Sequence, residues 1–89
     1  MIQVHVFIFG KVQGVGFRAA IKKLADELHI AGFVKNLTYE DIEAIFQGDE
    51  ESVKKMIEFC RTGPPGAQVN DVQDNELKLG KFDGFKIEK

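Results

Sequence analysis

Residues 1–9 alternate between two sets of side chains with the period of a β-strand. One face of this strand carries Ile2, Val4, Val6 and Ile8, and the other carries Gln3, His5, Phe7 and Phe9. After a glycine-rich stretch the apolar positions recur at steps of three and one, which lines one face of a helix. That helix is predicted to end near His29, and its apolar face consists of Phe17, Ala20, Ile21, Leu24, Ala25 and Leu28.

Two runs rich in β-branched and aromatic residues follow at 32–38 and 41–47, and a short polar stretch around Tyr39 and Glu40 separates them. This pattern predicts a hairpin of two strands. A second helix is predicted next, with Asp49 as its N-cap and acidic residues in its first turn, where the helix dipole favours negative charge. Its buried face is predicted to contain Val53, Met56, Ile57 and Cys60.

The sequence GPPG at 63–66 ends the second helix, because proline cannot continue it. Residues 67–73 predict a further strand, 75–84 are polar and ambiguous, and Phe85 and Ile87 indicate a short terminal strand. The order βαββαβ predicts an α+β fold, the ferredoxin-like split βαβ sandwich, in which an antiparallel sheet carries two helices on one face. Its first and second strands run parallel, so the residues that follow them are expected at the same end of the sheet.

Composition restricts the possible functions. The 89 residues form one predicted domain, 1–89, and the 44% hydrophobic and 29% charged content is typical of a soluble globular protein. The apolar stretches are too short to span a bilayer and the N-terminus lacks a secretory pattern, so we predict a cytoplasmic protein without a membrane partner. A net charge of −2 disfavours nucleic acid as a partner. The single cysteine, Cys60, excludes an internal disulfide and is predicted to pack in the core.

The candidate chemistry lies in the loop GKVQGVGFR at 10–18, between the first strand and the first helix. Its glycines let backbone N–H groups approach a ligand, the helix start adds unpaired donors, and Arg18 brings a planar fork of donors. These features predict a site for an oxyanion, with a phosphoryl group as the expected occupant. The alternative is that Arg18 only solvates its helix, but the neighbouring Gly14 and Gly16 favour the anion site.

Asn36, at the end of the second strand, is the next candidate, because its side chain can accept a hydrogen bond from water and donate one to a phosphoryl oxygen. On composition alone, a turn-forming role is the more common one for such a residue. His5 and His29 lack nearby ligand partners in the sequence and are predicted to be structural. The acidic residues of the hairpin lack the spacing of a calcium loop: Glu40, Asp41 and Glu43. Neither a metal nor a nucleotide cofactor is predicted.

These motifs resemble the acylphosphatase family over nearly the whole chain. GKVQGVGFR at 10–18 is similar to the first signature of that family, and GFVKN at 32–36 with IEAIFQG at 42–48 is similar to most of the second. The resemblance implies a ferredoxin-like fold and hydrolysis of the mixed anhydride between a carboxylic acid and phosphate. We expect a monomer without cofactors, for which inorganic phosphate is both product and competitor.

The resemblance also implies residue roles. Arg18 matches the phosphate-binding arginine and Asn36 matches the asparagine that positions the attacking water, so both are predicted to be catalytic. The predicted phosphate-binding residues are Gln13, Gly14, Val15, Gly16, Phe17 and Arg18. Because a carboxylate is a good leaving group and the phosphoryl group can take the proton from water, positioning and charge stabilisation suffice without metal.

Two positions depart from the family pattern. The family usually has glycine four residues after the asparagine, where this chain has Glu40, followed by Asp41. A left-handed backbone at Glu40 would cost roughly 1–2 kcal/mol, so we predict that the turn has changed shape. The two carboxylates would also oppose a doubly charged substrate. Ala19 stands where family members often carry a large aromatic residue or histidine.

Other functions stay open at this point. A non-catalytic anion-binding module of the same fold would bind phosphate without turnover, and the departures at Glu40 and Asp41 motivate it. A free-standing relative of the acylphosphatase-like domain in carbamoyl-handling hydrogenase maturation proteins would act on a related acyl phosphate. A nucleic-acid role is a distant third alternative, against which the acidic balance argues.

Overall fold

The computed structural model describes residues 1–88, which is the predicted domain without its last residue. The elements follow the order βαββαβ with a fifth strand at the end, as predicted. The strands are β1 (Ile2–Lys11), β2 (Ala31–Asn36), β3 (Ile42–Gly48), β4 (Gln68–Leu77) and β5 (Phe85–Glu88), and the helices are α1 (Phe17–Glu27) and α2 (Glu50–Cys60). In residues 1–88 there is no helix of the length and apolar character needed to cross a bilayer.

All five strands form one sheet with the order β4-β1-β3-β2-β5. Every pairing is antiparallel except that of β2 with β5, which is parallel. Because β1 and β2 both pair antiparallel with β3, they run parallel to each other. Ile42 of β3 pairs with Ile8 of β1 on one side and with Asn36 of β2 on the other. The ends of β1 and β2 therefore meet at the same end of the sheet, about 10 Å apart at the usual strand spacing.

The core lies between the helices and one face of the sheet. Helix α1 packs on β2 and β5, and α2 packs on β1 and β3. Their fully buried residues include most of the predicted apolar positions: Phe17, Ile21, Ala25, Val53, Met56 and Cys60. Burial raises the pKa of the Cys60 thiol to about 12, since the charged thiolate is poorly solvated there. The predicted packing of Cys60 in the core is thus confirmed.

The ends of both helices differ in detail from the sequence prediction. Helix α1 stops at Glu27, and His29 takes the left-handed conformation, with φ 56°, that commonly ends a helix. The following N–H of Ile30 donates to the carbonyl of Ala25 at 2.8 Å. Asp49 stands at the N-cap of α2 as predicted, but its side chain makes no capping hydrogen bond.

The stretch after β4, ambiguous in the sequence, leads the chain across the sheet face opposite the helices. Gly80 donates its N–H to Gln3 Oε1 at 2.6 Å and accepts a hydrogen bond from Gln47 Nε2 at 2.8 Å. The N–H of Gly32 then donates to the carbonyl of Gly84 at 3.0 Å, next to the start of β5. These contacts bring the last strand alongside β2, so that it reaches the end of the sheet where Asn36 lies.

Candidate active site

The loop between β1 and α1 has the backbone conformation that its glycines predict. Gly14 and Gly16 are left-handed, with φ of 75° and 77°, and no atom lies within 4 Å of where a Cβ would stand on either. Gly16 is the N-cap residue of α1, and neither a capping side chain nor an acidic residue occupies the first turn. The N-terminal N–H groups and the positive end of the helix dipole therefore remain available to an anion.

This loop forms part of a cavity of about 200 Å³ that also contains the two predicted catalytic residues. Its lining consists of Val12, Gln13, Gly14, Gly16, Phe17, Arg18, Ala19, Asn36 and Ile87. Binding pockets for drug-sized molecules usually occupy about 300–1,000 Å³, so this cavity fits a smaller ligand. Five of the six predicted phosphate-binding residues are in the lining, and Val15 is the exception.

Arg18 stands in the first turn of α1 and points towards the last strand. Its Nη1 donates to the backbone carbonyl of Glu88 at 3.2 Å. Within residues 1–88 no carboxylate lies at ion-pair distance from Arg18. Because a guanidinium has five N–H donors, the contact with Glu88 restrains the side chain and leaves donors for a ligand.

Asn36 is the last residue of β2 and faces the helices, as does its cross-strand partner Ile42, which is fully buried. Its side-chain oxygen Oδ1 is buried and accepts no hydrogen bond from the described residues. Such an oxygen would cost about 1–3 kcal/mol if it stayed unsatisfied, and structures usually satisfy it with a ligand or an ordered water. Asn36 thus lines the cavity that also holds Arg18, and its Oδ1 is an acceptor that no group in residues 1–88 satisfies.

The turn after Asn36 contains the departure from the family pattern. The left-handed residue of this turn is Tyr39, with φ 69°, whereas Glu40 does not have a positive φ. The N–H of Leu37 donates to the carbonyl of Asp41 at 2.8 Å and closes the turn. The Asp41 carboxylate accepts a hydrogen bond from the N–H of Gly10 at 3.3 Å. Neither Glu40 nor Asp41 lines the cavity, so their repulsion of a charged substrate acts only from outside it.

Gln13 has a contact that the sequence did not predict. Its side-chain Nε2 donates to the carbonyl of Leu37 at 2.8 Å and to that of Asp41 at 2.9 Å. Both donors of the amide group are therefore engaged by the turn after Asn36. A phosphate held by Gln13 would have to use its backbone N–H.

Of the remaining polar candidates, His29 lies between α1 and β2, whereas His5 and Glu43 lie on the sheet face opposite the helices. His5 Nε2 and Glu43 Oε2 are 2.6 Å apart, and Lys35 Nζ lies 3.5 Å from the other Glu43 oxygen. In the register of β1 with β3, His5 is opposite Ile45 and Glu43 is opposite Phe7. His5 and Glu43 are therefore diagonal neighbours, and His5 has a carboxylate partner that the sequence did not reveal. Among residues 1–88 no three metal-ligating side chains cluster.

Comparison with known proteins assigns the family. The model of the family described as Acylphosphatase matches residues 4–87. The chain belongs to the acylphosphatase family. It is 43% identical over 84 residues to the acylphosphatase of Pelotomaculum thermopropionicum, covering 93% of this chain and 91% of the relative. The crystal structure of acylphosphatase from Bacillus subtilis superimposes with a TM-score of 0.95 at 32% identity and covers 100% of both chains.

These similarities confirm the resemblance inferred from the motifs, the ferredoxin-like fold and the enzyme class. The crystal structure of HypF from T. kodakarensis is also similar, with a TM-score of 0.83 and 36% identity, but the chain covers only 12% of that protein. The acylphosphatase relatives match over nearly their whole length, whereas the likeness to HypF concerns one part of a much larger protein.

Proposed function

We propose that this chain hydrolyses the carboxyl–phosphate bond of small acyl phosphates to a carboxylate and inorganic phosphate. The observation that carries the proposal is the joint presence, in one small cavity, of Arg18, the glycine loop and Asn36. Arginine and backbone N–H groups at a helix start bind a phosphoryl group, and an amide with an open acceptor can hold water.

In this mechanism the phosphoryl oxygens contact Arg18 and the N–H groups of residues 13–18. Charge spreads over these oxygens in the transition state, so fixed donors stabilise it more than they stabilise the bound substrate. The hydrogen bond from Arg18 to the carbonyl of Glu88 limits the freedom of the guanidinium before substrate arrives.

In this proposal the attacking water hydrogen-bonds to the side-chain amide of Asn36, whose Oδ1 has no partner in residues 1–88. The amide Nδ2 of Asn36 can donate to a phosphoryl oxygen, so one side chain orients both reactants. Holding water and phosphorus in line converts their encounter into an intramolecular step.

The proton balance requires no side chain. Within residues 1–88 the single ionisable residue in the lining is Arg18, and its guanidinium has no acceptor site for a proton. As the water oxygen bonds to phosphorus, the bond to the acyl oxygen breaks and its electron pair leaves with the carboxylate. The proton of the water passes to a phosphoryl oxygen, so the products are a carboxylate and a protonated phosphate.

We further propose that the enzyme acts as a cytoplasmic monomer, with inorganic phosphate as product and competing ligand. The net charge of −2 disfavours nucleic acid as a partner. Sedimentation at assay concentration tests the monomer, and a dimer at that concentration would contradict it.

Hydrolysis of benzoyl phosphate, followed by ultraviolet absorbance, tests the function. We expect Arg18→Ala and Asn36→Ala each to lower kcat/KM by about 10²–10³, the usual effect of losing one transition-state hydrogen bond of this kind. The exposed residues Arg61 and Asn75 provide matched controls, and Arg61→Ala and Asn75→Ala should keep full activity. Activity that survives both site substitutions would overturn the mechanism. Phosphate binding without turnover by the wild type would instead support the non-catalytic alternative.

A further inference from the structure

The side chain of Gln13 joins the anion loop to the turn that carries the chain away from Asn36. Its Nε2 donates to the carbonyls of Leu37 and Asp41, at 2.8 and 2.9 Å, across 24 and 28 residues of sequence. These two residues form the two ends of the turn, since the N–H of Leu37 also donates to the carbonyl of Asp41. The single side-chain amide of Gln13 therefore bonds to both ends of the turn.

We propose that Gln13 is a positioning residue, which fixes the distance and angle between Asn36 and the phosphate-binding residues 13–18. This inference rests on the proposed function of the same cavity. Gln13 directly precedes Gly14 in the phosphate-binding loop, while Leu37 directly follows Asn36. The hydrogen bond from Gln13 to Leu37 thus connects the phosphate-binding loop to the residue next to Asn36, which is proposed to bind the water.

The orientation of Asn36 is not set by a hydrogen bond from residues 1–88 to its side-chain oxygen. Its Oδ1 accepts no hydrogen bond from residues 1–88, so its orientation depends on the backbone at the end of β2. The loop at 10–18 and the turn after Asn36 are also joined by a longer hydrogen bond, from the N–H of Gly10 to the Asp41 carboxylate at 3.3 Å. The two bonds of Gln13 have the length of good N–H···O hydrogen bonds.

The chemistry of the contact suits a glutamine side chain. Both acceptors are backbone carbonyls, so the side chain must offer two donors from one nitrogen. Glutamate has the same shape but places acceptors against the two carbonyls, and asparagine is one methylene shorter. Leucine is also one atom shorter than glutamine, and it removes both donors. The three substitutions Gln13→Glu, Gln13→Asn and Gln13→Leu therefore separate shape from hydrogen bonding.

The kinetic signature of positioning differs from that of phosphate binding. A displacement near 1 Å can slow a reaction by about 10²-fold, so we expect Gln13→Leu and Gln13→Glu to lower kcat by roughly 10–100-fold. The backbone N–H groups and Arg18 are unchanged in these variants. In Gln13→Leu, which adds no charge, the inhibition constant of inorganic phosphate should accordingly change by less than about threefold, because ground-state binding is retained.

Steady-state kinetics with benzoyl phosphate, together with competition by inorganic phosphate, test the proposal. Gln73→Leu is the matched control, because Gln73 is an exposed glutamine on β4 outside the cavity lining, and it should keep the wild-type kcat. A wild-type kcat in Gln13→Leu would overturn the positioning role. So would a loss of phosphate affinity as large as the loss of kcat, which would make the side chain a phosphate ligand.

A measurement on the wild type covers the case in which the variants do not fold. In a nuclear magnetic resonance titration with inorganic phosphate, the backbone N–H signals of Gly14 and Gly16 should shift. The side-chain N–H₂ signals of Gln13 should shift much less and should exchange slowly with solvent, since both protons are hydrogen-bonded. Fast exchange, or a shift as large as those of the glycines, would overturn the proposal. Absence of turnover in the wild type would refute the proposed function. The expected shifts and exchange rates would be the same in that case, because they report phosphate binding and the hydrogen bonds of Gln13 and not catalysis.

Discussion

Replacing Gly16 by alanine isolates the contribution of backbone conformation to the anion loop. Gly16 has φ 77°, and no atom lies within 4 Å of the Cβ that alanine would add. The substitution therefore creates no steric overlap, and its cost is the penalty for an L-residue in the left-handed region, roughly 1–2 kcal/mol. A domain of this size loses about 4–8 °C of Tm per kcal/mol, so we expect Tm to fall by about 4–16 °C.

The same substitution should weaken phosphate binding. If alanine leaves the left-handed region, the N–H groups at the start of α1 turn away from the ligand, and the loss of one hydrogen bond to a charged group corresponds to at least about tenfold in affinity. Thermal unfolding by circular dichroism and titration calorimetry with inorganic phosphate measure the two effects.

Gly84 provides the matched control for Gly16. It has φ 74° and is equally free of neighbours, but it lies in the turn before β5. Gly84→Ala should lower Tm by a similar amount and leave the phosphate affinity unchanged. The reasoning is refuted if Gly16→Ala binds phosphate as tightly as the wild type, or if Gly84→Ala loses affinity to the same extent.

Three further predictions concern stability and pH. The pKa of Cys60 rises from 9.0 to about 12 on folding, so its contribution to stability is fully present below pH 9.0 and is lost as the pH rises towards 12. The free energy of unfolding in urea should decline across this range, and Cys60→Ala should flatten the decline. Gly32→Ala would place a Cβ 1.9 Å from the carbonyl oxygen of Ile45, so we expect at least about 4 kcal/mol of destabilisation in urea, and a mild effect would contradict the close packing of β2 on β3. Because no histidine, cysteine or carboxylate of residues 1–88 lines the cavity, kcat/KM should show no side-chain inflection between about pH 6 and 9. A bell-shaped profile there would reveal a general acid or base.

The elements that local patterns control were predictable from the sequence. The alternation of β1 and the apolar face of α1 arise from periods that the sequence displays directly, and both elements are present where expected. Strand β4 extends to Leu77, beyond the predicted 67–73, because its backbone pairs with β1 while most of its side chains are exposed. An exposed strand has little apolar alternation to reveal it.

The site was predictable only in part. The sequence predicted that Arg18 and Asn36 would meet, since parallel strands end at the same end of the sheet, and both line the cavity. Ile87 and Glu88 were missed because their place beside Arg18 depends on the parallel pairing of β5 with β2. The reach of Gln13 to the turn was missed as well, because it depends on the folded path of two loops.

The central claim is that a water held by Asn36 attacks phosphorus. The most direct test is complete hydrolysis of benzoyl phosphate in water labelled with heavy oxygen, with mass spectrometry of both products. Attack at phosphorus places the label in inorganic phosphate and leaves benzoate unlabelled. Label in the benzoate would show attack at the carbonyl carbon and would contradict the mechanism, whatever the rate of turnover.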